Sequence, residues 1–130
     1  MSSLEYRRAV PLALRFEGHR CPPDSAIKPW YQHGSLALAP GDVVRVPSGG
    51  LVLGRSTDAD VRVASNGIAR KHVRVVPSAD GARLLAEDLG STNGTQRNGA
   101  TAVRHELAPG DVLTLAGFFD FVVIEVPEPP

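Results

Sequence analysis

The sequence predicts an all-β fold, a sandwich or barrel of mostly antiparallel strands, on three observations. Gly (13) and Pro (11) make up 24 of the 130 residues and are spread along the chain, above the average combined usage of about 12%. The longest stretch free of both is residues 55–66, so long helices are excluded, because an interior Pro or Gly costs about 3 or 1 kcal/mol respectively. Short apolar runs bounded by turn residues recur from end to end. Several alternate apolar with polar residues, the pattern of a strand with one face on a core and one in water.

The runs follow in order. Residues 11–16 form the first. Residues 18–41 are rich in Pro, Gly and polar side chains and are expected to be an inserted loop, pinned by Trp30 and Tyr31 packing on the sandwich. Runs at 43–46 and 51–53 are separated by Gly49-Gly50, expected to be a hairpin turn. Val61-Arg62-Val63, Val73-Arg74-Val75 and Leu113-Thr114-Leu115 carry the alternation, with further runs at 83–86 and 118–126. One six-residue word occurs twice, Leu38-Ala39-Pro40-Gly41-Asp42-Val43 and Leu107-Ala108-Pro109-Gly110-Asp111-Val112. Pro presets φ at the second turn position and Gly supplies positive φ at the third, so each copy is expected to be a type II turn feeding a strand. Residues 1–126 thus read as a single domain, and 127–130, with Pro at three of four positions, as a flexible tail.

Lys plus Arg (14) balance Asp plus Glu (14), which excludes a protein whose main work is to blanket nucleic acid or an anionic membrane. No apolar run is long enough to span a bilayer, and the start lacks the pattern of a secretion signal. A lone Cys21 makes no internal disulfide, so a cytoplasmic location is expected, with neither nucleic acid nor membrane as partner. The excess of Arg (12) over Lys (2) suggests a bacterial, GC-rich coding sequence. Enzymatic readings find little support. Cys21 has only His19 near it in sequence and no orienting partner. His19, Cys21 and His33 match no compact zinc spacing, and no Gly-rich nucleotide loop opens a helix. No catalytic residue, metal or cofactor is expected.

The informative part lies between Leu51 and Gly99. Arg55 follows Gly54 at a strand end, and Arg70 and Lys71 open another strand. From Arg55 to Arg74 there are five cationic residues against Asp58 and Asp60, a local excess of three positive charges in a neutral chain and a patch suited to one dianionic group. The run Asp88-Leu89-Gly90-Ser91-Thr92-Asn93-Gly94-Thr95 offers hydroxyls, an amide and Gly-flanked backbone, which can cap a phosphate or clamp an extended peptide. The same composition is also that of an ordinary β-turn.

The ordered set Gly54-Arg55, Arg70-Lys71-His72, Asp88 to Thr95 and Asn98-Gly99 resembles the forkhead-associated (FHA) domain over essentially the whole chain except residues 18–41. The resemblance implies a β-sandwich of about eleven mostly antiparallel strands in two sheets, whose loops at one end bind phosphothreonine in a partner protein. On it, Arg55 pairs with the phosphate and Arg70 flanks it. Thr92 contacts the phosphothreonine, and Asn93 and Asn98 hold the peptide backbone. Ser65, Asn66, Lys71 and Ser91 are auxiliary candidates, and Gly54, His72, Asp88, Gly94 and Thr95 are scaffold. One departure stands out: the family serine whose hydroxyl bonds the phosphate is here Ala69. The implied function is a phosphothreonine-dependent adaptor in Ser/Thr kinase signalling, docking on a threonine-phosphorylated kinase or substrate. The alternative is a degenerate FHA domain acting as a phosphate-independent scaffold or assembly subunit through the insertion.

Overall fold

Strands form where β-branched, Leu and Phe residues recur every second position, and turns where Gly or Asn-Gly permits reversal. The computed structural model describes residues 11–20 and 29–127. Among the described residues thirteen strands, two more than expected, make two sheets. The first sheet runs β10 (Ala100–Thr101), β9 (Thr95–Arg97), β12 (Val112–Leu115), β13 (Phe119–Glu125), β1 (Leu12–His19), β4 (Val43–Arg45). The second runs β11 (Arg104–Leu107), β8 (Leu84–Asp88), β7 (Val73–Pro77), β5 (Leu51–Gly54), β6 (Val61–Ala64), β2 (Trp30–His33), β3 (Leu36–Ala37). Every pairing among the described residues is antiparallel except β5 with β6, where Leu53 faces Val61 and Gly54 faces Arg62. No helix of the described residues is long and apolar enough to cross a membrane.

The core is the space between the sheets. Leu14 and Phe16 of β1 and Phe119, Phe121 and Val123 of β13 meet Leu53, Val61, Val73, Val75 and Leu84 of the facing sheet, all essentially without solvent exposure. Phe16 and Phe121 lie 5.1 Å apart, tilted as aromatic pairs prefer.

The repeated word folds as expected, twice over. Asp42 N–H donates to Ala39 C=O at 3.0 Å with Gly41 at φ +95°, and Asp111 N–H donates to Ala108 C=O at 3.0 Å with Gly110 at φ +92°. Each Asp carboxylate also accepts the N–H of the turn's first residue, Ala39 at 2.9 Å or Ala108 at 2.8 Å. The turns then bind equivalent backbone of the central strands, Phe16 in β1 and Val123 in β13.

Two expectations need correction. Residues 18–41 are not one irregular loop: β1 continues to His19, and β2 and β3 form a hairpin around Gly34-Ser35 whose β2 pairs with β6 from Trp30↔Ala64 to His33↔Val61. Tyr31 packs on Phe16 at 4.3 Å, as expected of the insertion's anchor, whereas Trp30 remains half exposed and lies under the Arg62 guanidinium, 4.5 Å from the ring centroid. Gly49-Gly50 is a turn, closed by Gly50 N–H to Pro47 C=O at 2.8 Å, but not a hairpin. Its flanking strands β4 and β5 belong to different sheets, so it carries the chain across the sandwich. Cys21 and residues 128–130 of the expected tail lie outside the described residues; Pro127 C=O accepts from Arg45 at 3.2 Å.

Candidate functional site

Three loops converge at one end of the sandwich: residues 55–60 between β5 and β6, 65–72 between β6 and β7, and 89–94 between β8 and β9. Gly54 allows the first two to touch. A Cβ there would stand 2.1 Å from the Arg70 carbonyl oxygen and 3.0 Å from Lys71 Cα, and backbone has no room to retreat. With only hydrogen at that point, Arg55 N–H reaches Ala69 C=O at 2.9 Å and Ser56 N–H reaches Arg70 C=O at 3.1 Å.

Arg55 is held by its own side chain. Its Nε donates to Ile68 C=O at 3.0 Å, so the guanidinium is oriented, while on this exposed residue its terminal N–H groups have no partner among the described residues. Arg70, Lys71 and Thr92 are exposed, and among the described residues their side chains engage no hydrogen-bond or ionic partner. Ser65 and Asn66 form the turn closed by Ile68 N–H to Ser65 C=O at 3.1 Å. Ala69 presents a methyl group where a hydroxyl is absent.

His72 locks the second loop to the third. It is fully buried; its Nδ1 accepts the Ala69 N–H at 3.2 Å and its Nε2 lies 2.8 Å from Gly94 C=O. An acceptor on one nitrogen and a carbonyl at the other assign the neutral tautomer with the proton on Nε2. The third loop is tied from within by Asp88. Its carboxylate accepts the amides of Gly90 (2.9 Å) and Ser91 (2.7 Å) and the hydroxyls of Ser91 (2.5 Å) and Thr95 (2.7 Å). Partial burial pushes this carboxyl up, but the four hydrogen bonds outweigh it and hold it below the ordinary Asp value.

The structure therefore brings Arg55, Arg70, Lys71, Thr92 and Asn93 onto adjoining loops, with Ser65 and Asn66 at their border. It also places several residues differently from the expectation. Ser91 is a brace, since its hydroxyl donates to Asp88 and accepts the Gly94 N–H at 3.0 Å. Asn93 spends its amide on Gly67 C=O at 2.9 Å, stitching the third loop to the second and leaving its Oδ1 available. Asn98 is not brought to the cluster. It sits at the far end of β9, about 10 Å of strand beyond Thr95, with Nδ2 on Asp111 at 3.0 Å and Oδ1 accepting Val112 N–H at 2.9 Å. It borders a groove with Arg20 and Gln96, whereas Thr92 and Asn93 border another with Ala102 and Val103. The groups that sequence reasoning missed are the Gly67 and Ile68 carbonyls, which orient Asn93 and Arg55. A backbone carbonyl is common to every residue type and leaves no sequence signal.

The FHA domain family matches residues 51–116, the segment that contains all three loops. The chain belongs to the FHA domain family. Among known proteins it is similar to the FHA domain-containing protein FhaA of Mycobacterium tuberculosis, 37% identical over 75 residues. It is also similar to the ABC transporter ATP-binding/permease protein Rv1747 of the same organism, 32% identical over 108 residues. These matches cover 58% and 78% of this chain but only 14% and 12% of the relatives, so the chain spans a small part of the proteins it resembles. A solved structure from a study of phosphothreonine-dependent FHA domain interactions superposes with a TM-score of 0.63 at 27% identity, covering 91% of this chain and 99% of that one. FHA domains are interaction modules, and no catalytic family is indicated for this FHA domain.

Proposed function

We propose that this FHA domain is a phosphothreonine-dependent protein-interaction module, a cytoplasmic adaptor in Ser/Thr kinase signalling whose partner is a threonine-phosphorylated kinase or kinase substrate. The observation that carries this reading is Arg55: an exposed guanidinium braced at Nε, with its terminal N–H groups unpartnered among the described residues, suits bidentate binding of a phosphate. Arg70 supplies a second charge, and the Thr92 hydroxyl donates to a phosphate oxygen. Asn93 Oδ1, oriented by the bond its amide makes to Gly67, accepts a peptide N–H. The solved relative described for phosphothreonine-dependent interactions supports the same ligand class.

Ala69 weakens this site. A hydrogen bond to a charged group is worth about 1.5–3 kcal/mol, so the missing hydroxyl lowers affinity about 10- to 100-fold. Calorimetric titration with a degenerate phosphothreonine peptide pool, beside the unphosphorylated pool, tests the reading. Binding is expected only with the phosphate. Arg55→Ala should abolish it while circular dichroism shows a folded chain, and Ala69→Ser should tighten it. Retained affinity in Arg55→Ala removes the pocket from consideration; silence from both pools favours a phosphate-independent scaffold using the insertion around Trp30.

A further inference from the structure

Every arginine of the described residues except Arg70 is paired with a carboxylate or donates to a backbone carbonyl. Arg70 and Lys71 are the exceptions among the described cations, with neither kind of partner, and both are exposed. Neither Asp58 nor Asp60, the acids of the adjoining loop, ion-pairs with them; the Asp60 carboxylate is occupied by the Val52 N–H at 2.8 Å.

These two free cations stand on rigid backbone. Arg70 C=O accepts the Ser56 N–H, Lys71 Cα lies against Gly54, and the next residue is the buried His72, bonded at both ring nitrogens. Because the backbone is already fixed, only the rotamer freedom of the two side chains is lost when they meet a ligand. The charge count also exceeds one phosphate. A phosphothreonine carries about −1.5 to −2, which Arg55 and Arg70 balance together, leaving Lys71 uncompensated.

We propose that Lys71, next in sequence to Arg70, forms a second anion subsite that takes another negative group of the same peptide, an Asp or Glu side chain or a further phosphate beside the phosphothreonine. The proposal rests on the phosphothreonine reading above and narrows its ligand class to acidic phosphopeptides. It also accounts for a working site without the Ala69 hydroxyl, because charge added beside the phosphate compensates for part of the missing bond.

Four synthetic peptides test it against the full chain by fluorescence anisotropy: a phosphothreonine peptide with neutral flanks, one with Asp and Glu flanks, one with a second phosphothreonine, and the unphosphorylated acidic peptide. The acidic-flank or doubly phosphorylated peptide is expected to bind about two- to fivefold more tightly than the neutral one, the range of an exposed ion pair. Whichever shows the gain identifies the source of the anion. Lys71→Met should draw that ratio toward one, and Arg83→Gln, which removes an equal charge elsewhere, should leave it. Equal wild-type affinities for the three phosphopeptides, or a ratio that Lys71→Met does not change, overturns the second subsite and leaves the phosphothreonine reading standing. Binding by none of the phosphopeptides overturns both.

Discussion

Gly54 and Asp88 position the site without facing a ligand. Gly54 works by absence, since its missing Cβ is the space that the Arg70 backbone occupies. Asp88 works by charge, gathering four donors so that the loop bearing Thr92 holds one shape. Because its folded carboxyl lies below the usual value of about 3.9, it binds fewer protons folded than unfolded as pH falls. Its stabilisation is therefore full above the ordinary Asp value and lost as pH drops through the lower folded one. Asp111, held down by Ala108, Asn98 and Arg97 against the opposing effect of burial, behaves in the same sense. Urea denaturation should show stability falling below about pH 4. Asp88→Asn should lower the plateau at pH 7 by about 1–3 kcal/mol and partly flatten the acid limb. An unchanged acid limb in that variant would show that Asp88 is not the carboxylate that matters. At this scale the sequence was legible for the placement of Arg55, Arg70 and Thr92, which stand exposed on adjoining loops. It was misleading for Ser91 and Asn98, whose polar atoms are spent on the fold.

Strands β2 and β3 show what local patterning hides. Residues 18–41 contain four prolines and three glycines counting the ends, so composition pointed to a loop. Gly34-Ser35 between Trp30–His33 and Leu36–Ala37 is nonetheless a hairpin signal. What no local pattern could show is the pairing of β2 with β6, since a register is set by the far strand. The hairpin at Asn98-Gly99, with φ of 50° and 88°, was recognisable as a motif although β9 and β10 were too short to stand out as apolar runs. The insertion is docked through Tyr31, which contacts Phe16 and Phe119 at 4.3 and 6.1 Å, more than through half-exposed Trp30. Tyr31→Ala should therefore cost about 2–4 kcal/mol in chemical denaturation. Trp30→Ala should cost about 0.5–1 kcal/mol, the worth of its contact with Arg62. Equal losses in the two variants would mean that the hairpin is held by its backbone ladder alone.

Across the whole molecule, the sandwich separates groups that hold the fold from the exposed groups proposed to meet a partner, and β9 spans the division. One end of β9 emerges from Gly94, whose carbonyl receives the His72 ring, and leads back into the candidate binding loop. The other end turns at Asn98, whose side chain joins that hairpin to the Pro109-Gly110-Asp111 turn. The fold was legible in the sequence because its two Pro-Gly-Asp turns, its Phe and Val alternation and its ordered motifs all act locally or in sequence order. The division was not, because Asn93 and Asn98 are the same residue type five positions apart and only the three-dimensional fold shows that they serve opposite ends of one strand. Asn98→Ala removes two hydrogen bonds and places a Cβ-bearing residue without Asn's local hydrogen bonding at φ 50°. It should lower stability by about 1–3 kcal/mol and leave phosphopeptide affinity within about twofold, a change below 0.5 kcal/mol. Titration and denaturation of the same preparation decide the matter. If affinity falls in step with Arg55→Ala while stability holds, Asn98 belongs to the binding surface after all, and the two ends of β9 are one site.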